Sequence, residues 1–202
     1  VIVLGMDTSG YANAVGVVED RRVLADAIFP ARTDSLEQIV DNIDSVLKKA
    51  GLSLTEVDGI GVGLGPGSWT GIRVGVTVGK MLAFSAGKPL CGVPTLEALA
   101  HGAGKEGTLL AVISAGIKDA VYAGVYRTRD GGIEQDGDYY AGDVKGLAGL
   151  IQGQVTIVGA GAQSYASVLA QSIGEFKPDI CAVEAVAGGA SVAGLASRRL
   201  AV

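Results

Sequence analysis

Short apolar runs and longer helical stripes follow each other along the chain in an order that is used twice. Runs near 1–6, 12–18 and 22–28 predict three strands, and a stripe over 35–50 predicts a helix. In that helix Leu36, Ile39, Val40, Ile43, Val46, Leu47 and Ala50 share one face. Asp34 with Glu37 resembles a capping box, and Lys48-Lys49 precede a terminal Gly51. A strand at 59–64, a helix at 70–86, a strand at 89–93 and a helix at 95–101 complete a βββαβαβα order.

After the glycine-rich link Gly102–Gly107 the order restarts. Strands are predicted near 108–114, 119–127 and 132–136, then a helix at 143–151, a strand at 154–159 and a helix at 163–174. A short strand at 179–183 and a helix at 189–200 end it. Two meanders, each followed by alternating helices and strands, imply an α/β chain built from a duplicated ribonuclease-H-like unit. The expected division is 1–103 and 104–202.

The most distinctive segment joins the fourth strand to the second helix. Gly65-Pro66-Gly67-Ser68-Trp69-Thr70-Gly71-Ile72-Arg73 sets up a sharp turn, and Asp58–Leu64 before it alternates glycine with apolar residues. In the helix that follows, Gly71, Gly75, Gly79, Ala83 and Gly87 recur every four residues. Interior glycine costs a helix about 1 kcal/mol relative to alanine, so close packing must offset Gly75 and Gly79. Gly71, Gly75 and Gly79 form the expected contact strip, facing either the chain's own sheet or another subunit.

Composition narrows the classes. The chain has 202 residues, 49% hydrophobic, with 32 glycines and a net charge of −5 from 16 basic and 21 acidic groups. Adjacent basic residues go no further than pairs such as Arg21-Arg22, Lys48-Lys49 and Arg198-Arg199, which argues against autonomous nucleic-acid binding. Cys91 and Cys181 lack a CxxC spacing and read as buried thiols of a reducing cytoplasm. The opening Val1–Met6 lacks a basic lead, and Arg73 and Lys80 interrupt the longest apolar run, so neither a signal peptide nor a membrane span is expected.

Candidate chemistry is sparse. Asp7-Thr8-Ser9-Gly10 follows the first strand and is either an anion-binding turn or an Asx/ST turn that reverses the chain. Its counterpart Ser114-Ala115-Gly116-Ile117-Lys118-Asp119 has no acid at the strand end. Gly159-Ala160-Gly161-Ala162 fails GxGxxG at Ser164, and Gly79-Lys80-Met81 fails the P-loop. His101 reads as a capping or surface residue, Thr33-Asp34-Ser35 as capping groups, and Tyr122 and Tyr126 as same-face core tyrosines. No catalytic residue and no metal site is assigned, which argues against an enzyme acting on its own.

Three segments carry a resemblance: Val3–Ser9, Gly61–Gly75 with its GPGSxTGxR core, and Gly92-Val93-Pro94-Thr95-Leu96-Glu97-Ala98-Leu99-Ala100. Over roughly residues 1–126 the chain resembles the bacterial TsaB (YeaZ) family. The resemblance implies an actin/Hsp70/sugar-kinase-like (ASKHA) fold without catalytic residues and a partnership with the paralogue TsaD. TsaD transfers a threonylcarbamoyl group to N6 of the adenosine beside the anticodon, and a small ATPase, TsaE, joins the complex. Trp69 stands where phenylalanine is common, Thr33–Glu37 replaces a usual His-Ser-Glu, and Ser114–Asp119 replaces a usual Asp-Ala-Arg segment. The chain ends at Val202, earlier than the pattern, as if a C-terminal tail were missing.

The resulting expectation is a cytoplasmic, non-catalytic scaffold for TsaD, reaching tRNA through the complex and forming a homodimer when alone. Partner contacts are expected at Gly71, Arg73, Gly75, Val78, Gly79, Leu82, Leu36, Ile39 and Ile43. Nucleotide or anion contacts are expected at Asp7, Thr8, Ser9, Gly65, Gly67, Ser68 and Thr70, with ATP or ADP at the partner interface as the cofactor considered. The rival expectation is an ASKHA-type nucleotide-dependent kinase or ATPase, or a peptidase-like hydrolase.

Overall fold

A computed structural model of the chain describes residues 1–30, 38–151, 153–165, 168, 179–180 and 187–200. Strands β1 (Ile2–Asp7), β2 (Ala12–Glu19) and β3 (Arg22–Pro30) form an antiparallel meander. β4 (Gly59–Gly63) and β5 (Leu90–Val93) extend it in parallel, giving the order β3-β2-β1-β4-β5. Parallel strands need crossovers. These are α1 (Ile39–Ala50) before β4 and α2 (Trp69–Ala86) before β5, with α3 (Thr95–Gly102) following.

Alternation along the strands sorts side chains to two faces. Leu4 and Met6 of β1, Val15 and Val17 of β2, and Ile60 and Val62 of β4 share one core with Ile39, Ile43, Val46 and Leu47 of α1 and Ala83 of α2. The end of α1 is the one its sequence predicts. Gly51 adopts φ 73, and the Gly51 and Leu52 amides donate to the Lys48 and Leu47 carbonyls. The expected start of this helix, with Leu36 and the Asp34–Glu37 pair, lies outside the described residues.

The second sheet repeats the plan. β6 (Gly107–Ser114), β7 (Ala120–Arg129) and β8 (Gly132–Gln135) form a meander, and β10 (Thr156–Val158) and β11 (Asp179–Ile180) extend it in parallel from β6. Three details differ from expectation. β9 (Tyr140–Asp143) pairs with β7, and residues 144–150 wind as a 3-10 helix instead of an α-helix. Gly146 and Gly149 weaken a helix there, and Gly146 sits closely against the Tyr140 ring. α4 (Ala160–Ser164) begins three residues before the expected start at 163, and most of the remainder of that expected helix lies outside the described residues.

The last helix, α5 (Gly189–Leu200), forms where the sequence places it but belongs elsewhere. It packs on β1, β2 and β4, and the chain divides into Val1–Ala98 with Val186–Val202, and Leu99–Ala185. The expected boundary at 103/104 had carried this helix with the second half. The physical reason is a row of glycines across the first sheet, on the face opposite α1 and α2. Gly5 pairs in register with Gly16 and with Gly61. A Cβ at Gly5 would collide with the backbone of Gly189 and Ala193, one at Gly16 with the Ala190 backbone, and one at Gly61 with the Ala196 methyl. Asp26 accepts a hydrogen bond from the Ala190 amide at 3.0 Å in the first turn of α5.

Candidate functional site

The turn after β1 is closed by hydrogen bonds. Asp7 Oδ1 accepts from the Ser9 amide at 2.7 Å and from Ser9 Oγ at 2.6 Å, and Oδ2 accepts from Thr95 Oγ1 at 2.7 Å. Each hydroxyl thus gives its one hydrogen to Asp7, and Thr95 Oγ1 accepts in turn from the Gly65 amide at 3.0 Å. The Thr95 amide donates back to the Gly65 carbonyl at 2.8 Å. Asp7, Thr8 and Ser9 are all buried. Burial pushes the Asp7 carboxyl above its ordinary value, while hydrogen bonds from Ser9 and Thr95 oppose the shift.

Glycines make this closure possible. Gly63 stands directly against the Asp7 carboxylate and Gly67 against Ser9, whose carbonyl accepts from the Ser68 amide at 2.7 Å. Gly65, at φ 84, has the left-handed conformation that side chains rarely adopt. Ser68 caps α2, its Oγ accepting from the Gly71 amide at 3.2 Å.

The glycine strip of α2 faces inward. Gly71 lies on the Thr8 carbonyl, Gly75 on Thr8 Oγ1, and Gly79 on Val62 and Leu90. Of the two packings open to the strip, the structure has the one within the chain, which corrects the expectation of Gly71, Gly75 and Gly79 as partner contacts. Ile39 and Ile43 are likewise core residues, and Val78 and Leu82 are half-buried against that core. Among the expected partner residues that the structure describes, Arg73 is the exposed one.

The outer face of α2 holds what the sequence reading missed. At about 100° per residue, Trp69, Arg73, Thr77, Lys80, Met81 and Phe84 fall within an arc of roughly 120°, opposite the glycines. Trp69 is 71% exposed, Met81 65% and Phe84 90%. The Arg73 guanidinium lies 5.7 Å from the centre of the Trp69 ring. Beside them a groove of about 380 Å³ is lined by Thr70, Arg73, Val74, Thr77 and Val78. The signal was available: an apolar residue at 69, 81 and 84 on the face away from a glycine stripe has nothing in its own sheet to cover it.

In the second unit Ser114 ends β6 in the register position that Asp7 has on β1, with Ser114 opposite Val121 as Asp7 is opposite Ala14. Its Oγ accepts from the Gly116 amide at 3.2 Å. Gly159 and Gly161 back onto Val112 of β6, so their small size serves strand–helix packing. Among the described residues no group of three or more His, Cys, Asp or Glu is placed to hold a metal ion, and no helix is long and apolar enough to cross a membrane.

Comparison with known proteins agrees with the motif reading. Residues 29–182 match the family model described as TsaD, tRNA N6-adenosine threonylcarbamoyltransferase. The chain is 31% identical over 133 residues to the tRNA threonylcarbamoyladenosine biosynthesis protein TsaB of Bacillus subtilis, covering 66% of this chain and 58% of that protein. It therefore spans less than two thirds of the length of that curated relative. Its fold is similar to that of YeaZ from Pseudomonas aeruginosa, with TM-score 0.82 and 24% identity over 99% of this chain and 92% of the other. It is also similar to a ROK hexokinase from Thermus thermophilus, with TM-score 0.59 and 16% identity over 98% of this chain and 100% of the other. These two likenesses show the fold alone, and it is the duplicated α/β plan expected from the strand order. By the match over residues 29–182, the chain belongs to the TsaD threonylcarbamoyltransferase family, and within it resembles the TsaB proteins.

Proposed function

We propose that this chain is a non-catalytic partner of a TsaD-type transferase in the synthesis of tRNA N6-threonylcarbamoyladenosine, and that it docks through the outer face of α2. The observation that carries this reading is the exposed arc of Trp69, Arg73, Met81 and Phe84 on the helix whose entrance bears the family's signature segment. Aromatic residues, methionine and arginine are the types enriched at protein interfaces, and an exposed apolar stripe marks a surface that meets a partner. The closed Asp7–Thr95 network supports the non-catalytic half of the proposal, because both carboxylate oxygens already hold hydrogen bonds within the chain.

On this reading tRNA and TsaE join through TsaD, and ATP or ADP binds at the interface with the partner. Mixing the chain with TsaD from the same source and assaying threonylcarbamoyl transfer to tRNA tests it. Stimulation by the chain, lost with Phe84→Ser, is expected. ATP turnover by the purified chain alone, abolished by Asp7→Ala, would overturn the proposal in favour of an enzyme, and a homodimer that excludes TsaD would overturn the assigned partner.

A further inference from the structure

Arg199, in the last turn of α5, reaches the junction of β5 and α3. Its Nη2 donates to both carboxylate oxygens of Glu97 at 2.6 Å, and its Nη1 donates to the Gly92 carbonyl at 3.2 Å. The Glu97 side chain is 14% exposed and that of Arg199 38%, more sheltered than the other ion pairs of the described residues. One guanidinium therefore grips both ends of the segment 92–97. Thr95 lies inside that segment, and it bridges Asp7 Oδ2 to Gly65, the first residue of the turn that leads into α2.

We infer that Arg199 is a positioning residue: by holding Glu97 and Gly92 it sets the Thr95 bridge, and through it the orientation of the turn at 65–71 and the entry of α2. A rigid fork of donors can hold a carboxylate and a carbonyl together, which a lysine ammonium on a flexible stem does not reproduce. The end of the chain thus acts on the family's signature turn from the opposite face of the first sheet. The consequence for partner docking rests on the reading of α2 given above, but the positioning itself is measurable in the isolated chain.

Trp69 is the single tryptophan of the sequence and begins α2, so its fluorescence reports on this turn. In the full chain, Arg199→Ala should raise amide exchange over residues 63–72 by about tenfold and change acrylamide quenching of Trp69, with α1 and the β6–β7 pair unchanged. Arg199→Lys should not restore either signal. Glu97→Gln should act in the same direction, and the double variant Arg199→Ala with Glu97→Gln should add little beyond Arg199→Ala. Should Arg199→Ala fail to fold, Arg199→Lys and Glu97→Gln carry the same test. Unchanged exchange over 63–72, or exchange raised equally over α1, would overturn the inference. Phe84→Ser leaves these signals unmoved, so failure of the docking reading and failure of this one are separable.

Discussion

Thr8 Oγ1 donates a 2.7 Å hydrogen bond to the carbonyl oxygen of Gly71, joining the exit of β1 to the first turn of α2. The two backbones come this close because Gly71 has no side chain, and its missing Cβ would lie on the Thr8 carbonyl.

Gly71→Ala should therefore destabilise the chain by about 2–3 kcal/mol, since backbone and not a flexible side chain stands in the way. Gly79→Ala should do the opposite. Its added Cβ meets Leu90 and Val62 at 3.4 and 3.5 Å, ordinary contact, and helix propensity gains up to about 1 kcal/mol. Urea denaturation of both variants measures the contrast; equal losses would mean that the strip tolerates no side chain anywhere.

Phe84→Ser and Met81→Ser remove exposed apolar surface that the folded monomer does not use. Stability should stay within about 0.5 kcal/mol of the parent, as for surface substitutions elsewhere. On the proposed docking through α2, affinity for TsaD should fall by about tenfold or more for Phe84→Ser, read by calorimetry. Undiminished affinity would place the partner on another surface.

Asp7 gives a pH dependence of defined sign. Because burial raises its carboxyl above 3.8, the folded chain holds this proton more tightly than the unfolded chain does. That contribution is full at low pH and is lost as pH rises from about 3.8 through the folded value. Asp7→Asn, which carries no titrating proton, should flatten that part of the stability curve. Denaturation midpoints between about pH 3 and 7 measure it; an unchanged slope would refute the assignment to Asp7.

Gly5→Ala tests the seat of the last helix. The added methyl meets the backbone of Gly189 and Ala193, so α5 must shift or leave, at a cost of about 3 kcal/mol. Limited proteolysis should then cut first within 187–200. A variant as resistant as the parent would mean that the sheet can yield instead.

Much of the architecture was legible in the residues because its signals are local. The stripe from Ile39 to Leu47 and the terminal Gly51 announced α1, and the βββ meanders with alternating crossovers announced the repeated sheet order. The candidate site was legible only in part. Asp7-Thr8-Ser9 was singled out, but Thr95, which completes its network, lies 88 positions along the chain from Asp7 and entered only as one letter of a family motif. β9 was missed because four residues, Tyr140–Asp143, ahead of a glycine-broken turn carry too little pattern to stand apart.

By itself the sequence determined most of the elements, their order and the family, since periodicity, caps and a nine-residue turn signature are properties of neighbouring residues. Only the tertiary structure decided which way each surface faces. A four-residue glycine spacing reads the same whether the strip meets a partner or the chain's own Thr8 and Val62, and a helix of Gly189, Ala193 and Ala196 can in principle cover either sheet. The choice lies in shape: the row Gly5, Gly16 and Gly61 admits a small-faced helix at backbone distance. The inward turn of the α2 glycines leaves Trp69, Met81 and Phe84 outside.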